Sequence, residues 1–149
     1  MRPIVSVLLS TAFCLSAASL AFAQADATLA AASKEAGAKV TASGLVYRSL
    51  KDGTGTSPAA TDRVKVHYKG TFPDGKEFDS SYKRNEPTEF PLSGVIPCWT
   101  EGVQLMKTGG KAKLTCPSAI AYGQRGAGGV IPPNATLVFE VELLAINGK

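Results

Sequence analysis

Alternation of apolar and polar residues is the main pattern along the chain, and it predicts an antiparallel sheet with one buried face. In the segment Arg63–Phe72, the residues at Val64, Val66 and Tyr68 are apolar or aromatic, whereas the residues between them are Lys or His. The segment Leu137–Leu144 alternates in the same way, with glutamates on its polar face. Period-two alternation is typical of strands whose two faces meet different environments. Both segments are therefore predicted to be half-buried strands.

Shorter segments between turn-forming residues complete the predicted sheet. Further strands are predicted at Leu45–Leu50, Lys76–Asp79, Glu89–Leu92 and Lys111–Cys116. The sequence Pro73-Asp74-Gly75 predicts a tight turn, because proline presets φ and glycine accepts a positive φ. Residues 80–87 carry no periodic pattern and are predicted to form a loop.

One helix is predicted between these strands. Pro97 suits the first turn of a helix in which Trp99, Val103 and Met106 share one face, and the pair Gly109-Gly110 is predicted to end it. The chain shows no alternation of strands with helices. The predicted fold class is therefore α+β.

The N-terminal part of the chain reads as a leader followed by an arm. After Met1 and Arg2, an apolar run extends to Leu20, and small residues around Ala23 suit a signal peptidase. We expect residues 1–23 to be a secretory signal peptide, residues 24–43 an Ala-rich flexible or partly helical arm, and residues 44–149 a single domain. Serine and threonine interrupt the apolar run, so stable membrane insertion is not expected.

Charge and cysteine content limit which binding partners and which cellular compartment are expected. The formal charge of +4 is scattered, and no basic stripe interleaved with aromatic residues favours nucleic acid. If the leader is removed, Cys98 and Cys116 remain, an even pair in a compartment where disulfides persist. We predict a disulfide between them, with two buried free thiols as the alternative.

Four motifs resemble those of one known family, in its order and near its spacing. They are VKVHYKG (64–70), GKEFDSS (75–81), VIPCW (95–99) and IAYG (120–123). Together they resemble the FK506-binding-protein (FKBP) family of peptidyl-prolyl cis-trans isomerases, over roughly residues 44–146. The resemblance implies an antiparallel β-sheet half-barrel wrapped around one short α-helix.

The resemblance also implies a cleft that binds a prolyl peptide. The floor under the proline ring would be Trp99, and the implied catalytic residues are Tyr68, Asp79 and Tyr122. The implied walls, rim and positioning residues are Phe78, Arg84, Val95, Ile96, Val130, Ile131 and Phe139. Among them, the backbone N–H of Ile96 and the hydroxyl of Tyr122 would bind polar groups of the peptide. Pattern alone would place Trp99, Val95, Ile96 and Phe139 in an ordinary core.

The sequence lacks the residues that a cysteine nucleophile, a metal site or a phosphate-binding loop would require. His67 is the only histidine and falls on the polar face of its predicted strand, so a pairing with a cysteine nucleophile is not expected. One histidine and two cysteines are too few for a typical metal site. The glycines between 123 and 129 lack the Gly-Lys-Ser/Thr that a phosphate-binding loop requires.

We therefore expect a peptidyl-prolyl isomerase that needs no cofactor and no metal. Its expected substrates are unfolded or proline-containing exported polypeptides, its expected inhibitors are macrolides of the FK506/rapamycin type, and its expected location is the bacterial periplasm. The alternative is a catalytically weak module that uses the same cleft to hold client proteins.

Overall fold

The computed structural model describes residues 27–148. Residues 27–33 form helix α1. The other helices are α2 (Ser81–Arg84) and α3 (Pro97–Gln104), and the strands are β1 (Ala38–Val40), β2 (Val46–Lys51), β3 (Arg63–Thr71), β4 (Glu77–Ser80), β5 (Thr88–Pro91), β6 (Lys111–Cys116) and β7 (Leu137–Ile146). In this part of the chain no helix is long and apolar enough to cross a membrane. The predicted signal peptide lies outside the described residues.

All seven strands form one antiparallel sheet. Its order is β1-β2-β6-β7-β3-β4, and β5 also pairs with β3, beside the end of β4. The buried face carries the alternating residues of β3 and β7, and helix α3 packs against it with Trp99 and Val103 in the same core. The predicted α+β class and the antiparallel sheet around a short helix are confirmed.

Helix α3 lies unusually close to the sheet at Gly102. A Cβ atom added at this position would be only 2.8 Å from Cδ2 of Leu114 on β6. The helix ends at Gln104, earlier than the sequence prediction, which placed its end at Gly109. After the α-helix the chain makes a tighter turn of the 3₁₀ type, in which the N–H groups of Leu105 and Met106 donate to carbonyls three residues back. Met106 remains buried, although it lies outside the helix.

Helix α2 lies in a segment that was predicted to be a loop. The hydroxyl of Ser80 accepts a hydrogen bond from the N–H of Lys83 and caps the first turn. Asn85 follows the last turn with φ of 54°, in the left-handed conformation that commonly ends helices. The prediction of a loop was wrong for Ser81–Arg84, because a four-residue helix depends on its two caps rather than on periodicity.

The N-terminal arm packs onto the sheet. Strand β1, which the sequence analysis did not predict, pairs with β2. The carboxylate of Glu35 forms ion pairs of 2.8 Å with both Arg48 on β2 and Lys113 on β6. The two cations outweigh the opposing effect of desolvation, so the pKa of Glu35 lies below its ordinary value. The part of the arm that the structure describes is therefore helix, turn and edge strand.

A disulfide joins Cys98 and Cys116, as predicted. Both residues are fully buried, and their Cα atoms are 5.9 Å apart. Cys98 lies in the first turn of α3 and Cys116 is the last residue of β6. The covalent link thus fixes the start of the central helix to the sheet.

Candidate active site

A cavity of about 300 Å³ opens between the start of α3, the inner face of the sheet and the segments that flank them. It is lined by Tyr68, Phe78, Asp79, Phe90, Gly94, Val95, Ile96, Trp99, Tyr122 and Phe139. Eight of these ten are residues that the sequence analysis assigned to a cleft. A larger depression, about 730 Å³, lies between α1 and the outer face of the sheet and contains none of the predicted site residues.

Trp99 forms the centre of the cavity floor. Its ring makes edge contacts with the rings of Tyr68, Phe90 and Phe139, at centroid distances of 5.2, 5.5 and 5.4 Å and interplanar angles of 81° to 90°. Edge-to-face packing is the preferred geometry of aromatic pairs. The indole nitrogen of Trp99 is buried and has no hydrogen-bond partner among the described residues. The small part of this ring that remains accessible is therefore hydrocarbon.

The wall formed by Phe78 and Phe139 depends on a glycine in β3. The two rings meet edge to face with their centroids 5.7 Å apart. A Cβ atom at Gly70 would be 2.5 Å from Cζ of Phe78 and 3.0 Å from Cε1 of Phe139. The absence of a side chain at Gly70 therefore gives both rings room to line the cavity.

The polar edge of the cavity consists of three side chains bonded to one another. The hydroxyl of Tyr68 donates to Oδ2 of Asp79, and Nη1 of Arg84 donates to Oδ1 of the same carboxylate. Nη2 of Arg84 also donates to the Tyr68 hydroxyl oxygen, at 2.9 Å. Oδ1 of Asp79 accepts a further bond from the N–H of Ser80. The carboxylate is thus held in a fixed orientation beside the aromatic floor.

This arrangement keeps Asp79 ionised. Burial alone would raise the pKa of Asp79, but the hydrogen bonds from Tyr68 and Arg84 and the positive charge of Arg84 outweigh it, so that pKa lies below its ordinary value. Burial, together with the neighbouring carboxylate, raises the pKa of Tyr68 and of Tyr122. At neutral pH the site therefore holds one carboxylate and two protonated phenols.

Three of the predicted residues, Tyr122, Val95 and Ile96, line the side of the cavity that is open to solvent. Tyr122 is 39% exposed, and its hydroxyl has no hydrogen-bond partner among the described residues. Val95 and Ile96 line the cavity just before α3, where Ile96 is the N-cap residue. The N–H of Ile96 has no acceptor within the described chain.

Val130 and Ile131, which the resemblance implied at the rim, are not among the residues that line the cavity. Ile131 is buried in the core, and its N–H and C=O both pair with the backbone of Ala127. Val130, the preceding residue, is 55% exposed in the loop.

Two residues of the lining were missed by the sequence analysis. Phe90 contacts the rings of both Tyr68 and Trp99, and Gly94 lies in the turn before Val95. The only sequence signal for Phe90 was the alternation of side chains in its short strand, in which the charged Glu89 is exposed and Phe90 points to the opposite face. No group of three or more potential metal ligands occurs in residues 27–148.

The comparisons with known proteins agree with this geometry. A family model described as FKBP-type peptidyl-prolyl cis-trans isomerase matches residues 54–144, more than half of the chain. The chain belongs to this family. The matched region contains all the residues that line the cavity and both cysteines of the disulfide.

Curated members of the family from bacteria are similar over most of this chain. The FKBP-type isomerase FkpA of Aeromonas hydrophila is 62% identical over 118 residues, which are 79% of this chain and 44% of FkpA. The FKBP-type 22 kDa isomerase of Escherichia coli strain K12 is 57% identical over 113 residues, 76% of this chain and 55% of that protein. The chain thus spans about half the length of these relatives.

Solved structures of similar proteins share the fold. The crystal structure of FkpA from Escherichia coli superposes with a TM-score of 0.83 at 50% identity, covering 87% of this chain and 60% of that one. A peptidyl-prolyl cis-trans isomerase from Pseudomonas syringae gives a TM-score of 0.80 at 41% identity, covering 89% of this chain and 97% of that one.

Proposed function

We propose that the protein catalyses the cis-trans isomerisation of peptide bonds that precede proline. The observation that carries this proposal is the cavity itself, in which a hydrocarbon floor at Trp99 lies beside a single carboxylate held by Tyr68 and Arg84. Membership of the isomerase family supports the same conclusion.

Rotation about a prolyl peptide bond can be accelerated by the surroundings of the bond alone, without a group that reacts with it. The planar amide is stabilised by resonance, and rotation of a peptide bond has a barrier of roughly 18–20 kcal/mol. In the twisted amide the resonance is lost, so the carbonyl is less polar than in the planar form. A water-poor, apolar cavity therefore binds the twisted form more tightly than the planar form, and this difference lowers the barrier. No bond is broken, so neither a nucleophile nor a cofactor is required.

Each group of the cavity has a role in this scheme. The proline ring would lie on Trp99, beside the wall formed by Phe78 and Phe139. The free N–H of Ile96 and the hydroxyl of Tyr122 would donate to carbonyl oxygens of the bound peptide and fix its direction. The carboxylate of Asp79 would face the rotating amide, and its negative charge would favour the more weakly polar carbonyl of the twisted state.

The direct test is an isomerisation assay on a short peptide with Leu or Phe before Pro. The uncatalysed reaction takes tens of seconds or longer at 25 °C. We expect the protein without residues 1–23 to accelerate it and a macrolide of the FK506 type to block the acceleration. A rate equal to the uncatalysed one would refute the proposal and favour the client-holding alternative.

Two substitutions test the residue assignments. Asp79→Ala and Phe139→Ala should each lower kcat/KM, with the domain still folded. Asp74→Asn is the control for the first, since Asp74 binds the N–H of Lys76 in an exposed turn. Glu140→Ala is the control for the second, since Glu140 faces the outer side of β7. Full activity in both folded site variants would show that the assigned cleft is not the active site.

We further propose that the protein acts on proline-containing exported polypeptides in the bacterial periplasm. The signal-peptide pattern of residues 1–23 and the disulfide between Cys98 and Cys116 support this location, because disulfides persist in oxidising compartments. The domain would then begin near residue 44, with residues 24–43 as an arm. N-terminal sequencing of the protein recovered from the periplasm should begin at Gln24, and recovery only from the cytoplasm would contradict the assignment.

A further inference from the structure

Tyr68 lies at a gap in the hydrogen-bonding ladder of β3. On one side of β3, the backbone pairs with β5 over residues 63–66 and with β4 over residues 69–71. Tyr68 falls between these two stretches, so neither strand supplies a partner for its backbone on that side. A buried backbone group without a partner is strongly unfavourable, so the gap must be filled by another group.

The side chain of Ser81 fills this gap. Its Oγ accepts a hydrogen bond of 2.7 Å from the N–H of Tyr68 and donates one of 3.2 Å to the C=O of the same residue. Nδ1 of His67 lies 2.9 Å from the same oxygen, on the outer side of the sheet. Ser81 is fully buried, so water cannot replace its hydroxyl without a rearrangement of the chain.

The same short helix also holds Tyr68 by its other end. Ser81 is the first residue of α2 and Arg84 is the last, and Arg84 donates to the Tyr68 hydroxyl oxygen and to Asp79. Helix α2 therefore binds the backbone of Tyr68 through its first residue and the phenol through its last. A tyrosine fixed at both points has little freedom to move its hydroxyl relative to the carboxylate.

We propose that Ser81 is a positioning residue of the active site, which holds the Tyr68 hydroxyl on Asp79 by fixing the Tyr68 backbone. This inference rests on the proposed isomerase function and deepens it. Ser81 does not line the cavity and would not touch the substrate. Its effect would pass through Tyr68 to the carboxylate.

The kinetic test is the variant Ser81→Ala with a matched control. Misplacement of a catalytic group by a fraction of an ångström is costly, so we expect kcat to fall about tenfold. KM should stay within about twofold, because the aromatic floor that binds the proline ring is unchanged. Ser80→Ala is the control, since it removes a neighbouring buried hydroxyl that caps α2 without touching Tyr68. An equal loss of kcat in Ser80→Ala would show that α2 as a whole matters, and would overturn the role of Ser81.

A double-variant cycle separates positioning from general loosening. In the background of Tyr68→Phe there is no phenol hydroxyl to place, so Ser81→Ala should change kcat less than about twofold further. Additive losses of kcat would contradict the proposal. If Ser81→Ala does not fold, Ser81→Cys keeps a weak donor and acceptor at the same position and takes its place in the cycle.

A readout independent of activity distinguishes the two proposals. In Ser81→Ala we expect amide hydrogen exchange at Tyr68 to speed up more than about tenfold relative to Val66. The NMR signal of the Arg84 guanidinium should also shift. Ser80→Ala removes the cap of α2 but neither hydrogen bond to the Tyr68 backbone, so it should leave the exchange at Tyr68 unchanged. If the wild-type protein is inactive but Ser81→Ala still shows these two changes, only the isomerase proposal is refuted. Unchanged exchange and an unchanged Arg84 signal would end the positioning role, whatever the activity.

Discussion

Reduction of the disulfide between Cys98 and Cys116 is a perturbation whose size follows from the structure. The two cysteines are separated by 18 residues, and the chain-entropy model assigns a loop of this length about 3 kcal/mol of stabilisation at 25 °C. Both sulfurs are fully buried, and a buried thiol packs as a small apolar group. Reduction should therefore remove the cross-link and leave the packing of α3 on β6 nearly unchanged.

The assay is urea unfolding with and without dithiothreitol, followed by the fluorescence of Trp99. This residue is the single tryptophan and lies next to Cys98 in the cleft floor, so it reports on the region that the disulfide fixes. With a urea m-value of about 1–3 kcal/mol/M, the loss corresponds to a fall of about 1–3 M in the midpoint.

The control is the double variant Cys98→Ala/Cys116→Ala. Its midpoint should not respond to dithiothreitol, and it should lie below that of the reduced wild type because two buried sulfurs are also lost. A midpoint that is the same in oxidised and reduced wild type would refute the reasoning. Titration of two free thiols in the unreduced protein, without residues 1–23, would refute the disulfide itself.

Three further outcomes can be checked by urea unfolding and the isomerisation assay. Gly102→Ala should lower stability by about 1–3 kcal/mol, since the clash with Leu114 outweighs the helix preference of alanine, about 1 kcal/mol; a raised midpoint would contradict this. Gly70→Ala should displace Phe78 and raise KM, whereas an unchanged KM would show that the ring position is unimportant. Because the folded pKa of Asp79 is lowered, its ionised form stabilises the protein above its unfolded pKa, ordinarily 3.8, and this contribution is lost as the pH falls through the folded pKa. Asp79→Asn should therefore lower the midpoint at pH 7 but much less at about pH 2, and an equal effect at both would contradict the pKa direction.

The long strands could be predicted because their sequence and their environment have the same period. In β3 and β7 every second side chain enters the core, so the hydrophobic effect itself imposes the alternation. Helix α2 and strand β1 are too short to show a period, and they depend on single contacts such as the Ser80 cap. A single contact of this kind can be recognised only in the structure, where the position of its hydrogen-bond partner is known.

The cleft could not be predicted from periodicity, because its floor is also core. Trp99 and Phe139 are each only 4% exposed, so the same pattern describes a wall of a site and an ordinary interior residue. Motif resemblance brought these residues together, but it also included Ile131, which is buried in the core and does not line the cavity. Phe90 was overlooked, since its strand has only four residues. The role of Ser81 depends on a gap between two strands that no sequence pattern reports.

The position of β7 has a consequence for biosynthesis. Strand β7 is the last strand of residues 27–148, yet it lies in the middle of the sheet between β6 and β3, and it supplies Phe139 to the cleft. A nascent polypeptide on the ribosome thus cannot close the sheet until residue 146 has left the exit tunnel. Until that point the sheet lacks one of its central strands and the cleft lacks Phe139, so neither the fold nor the site can be complete.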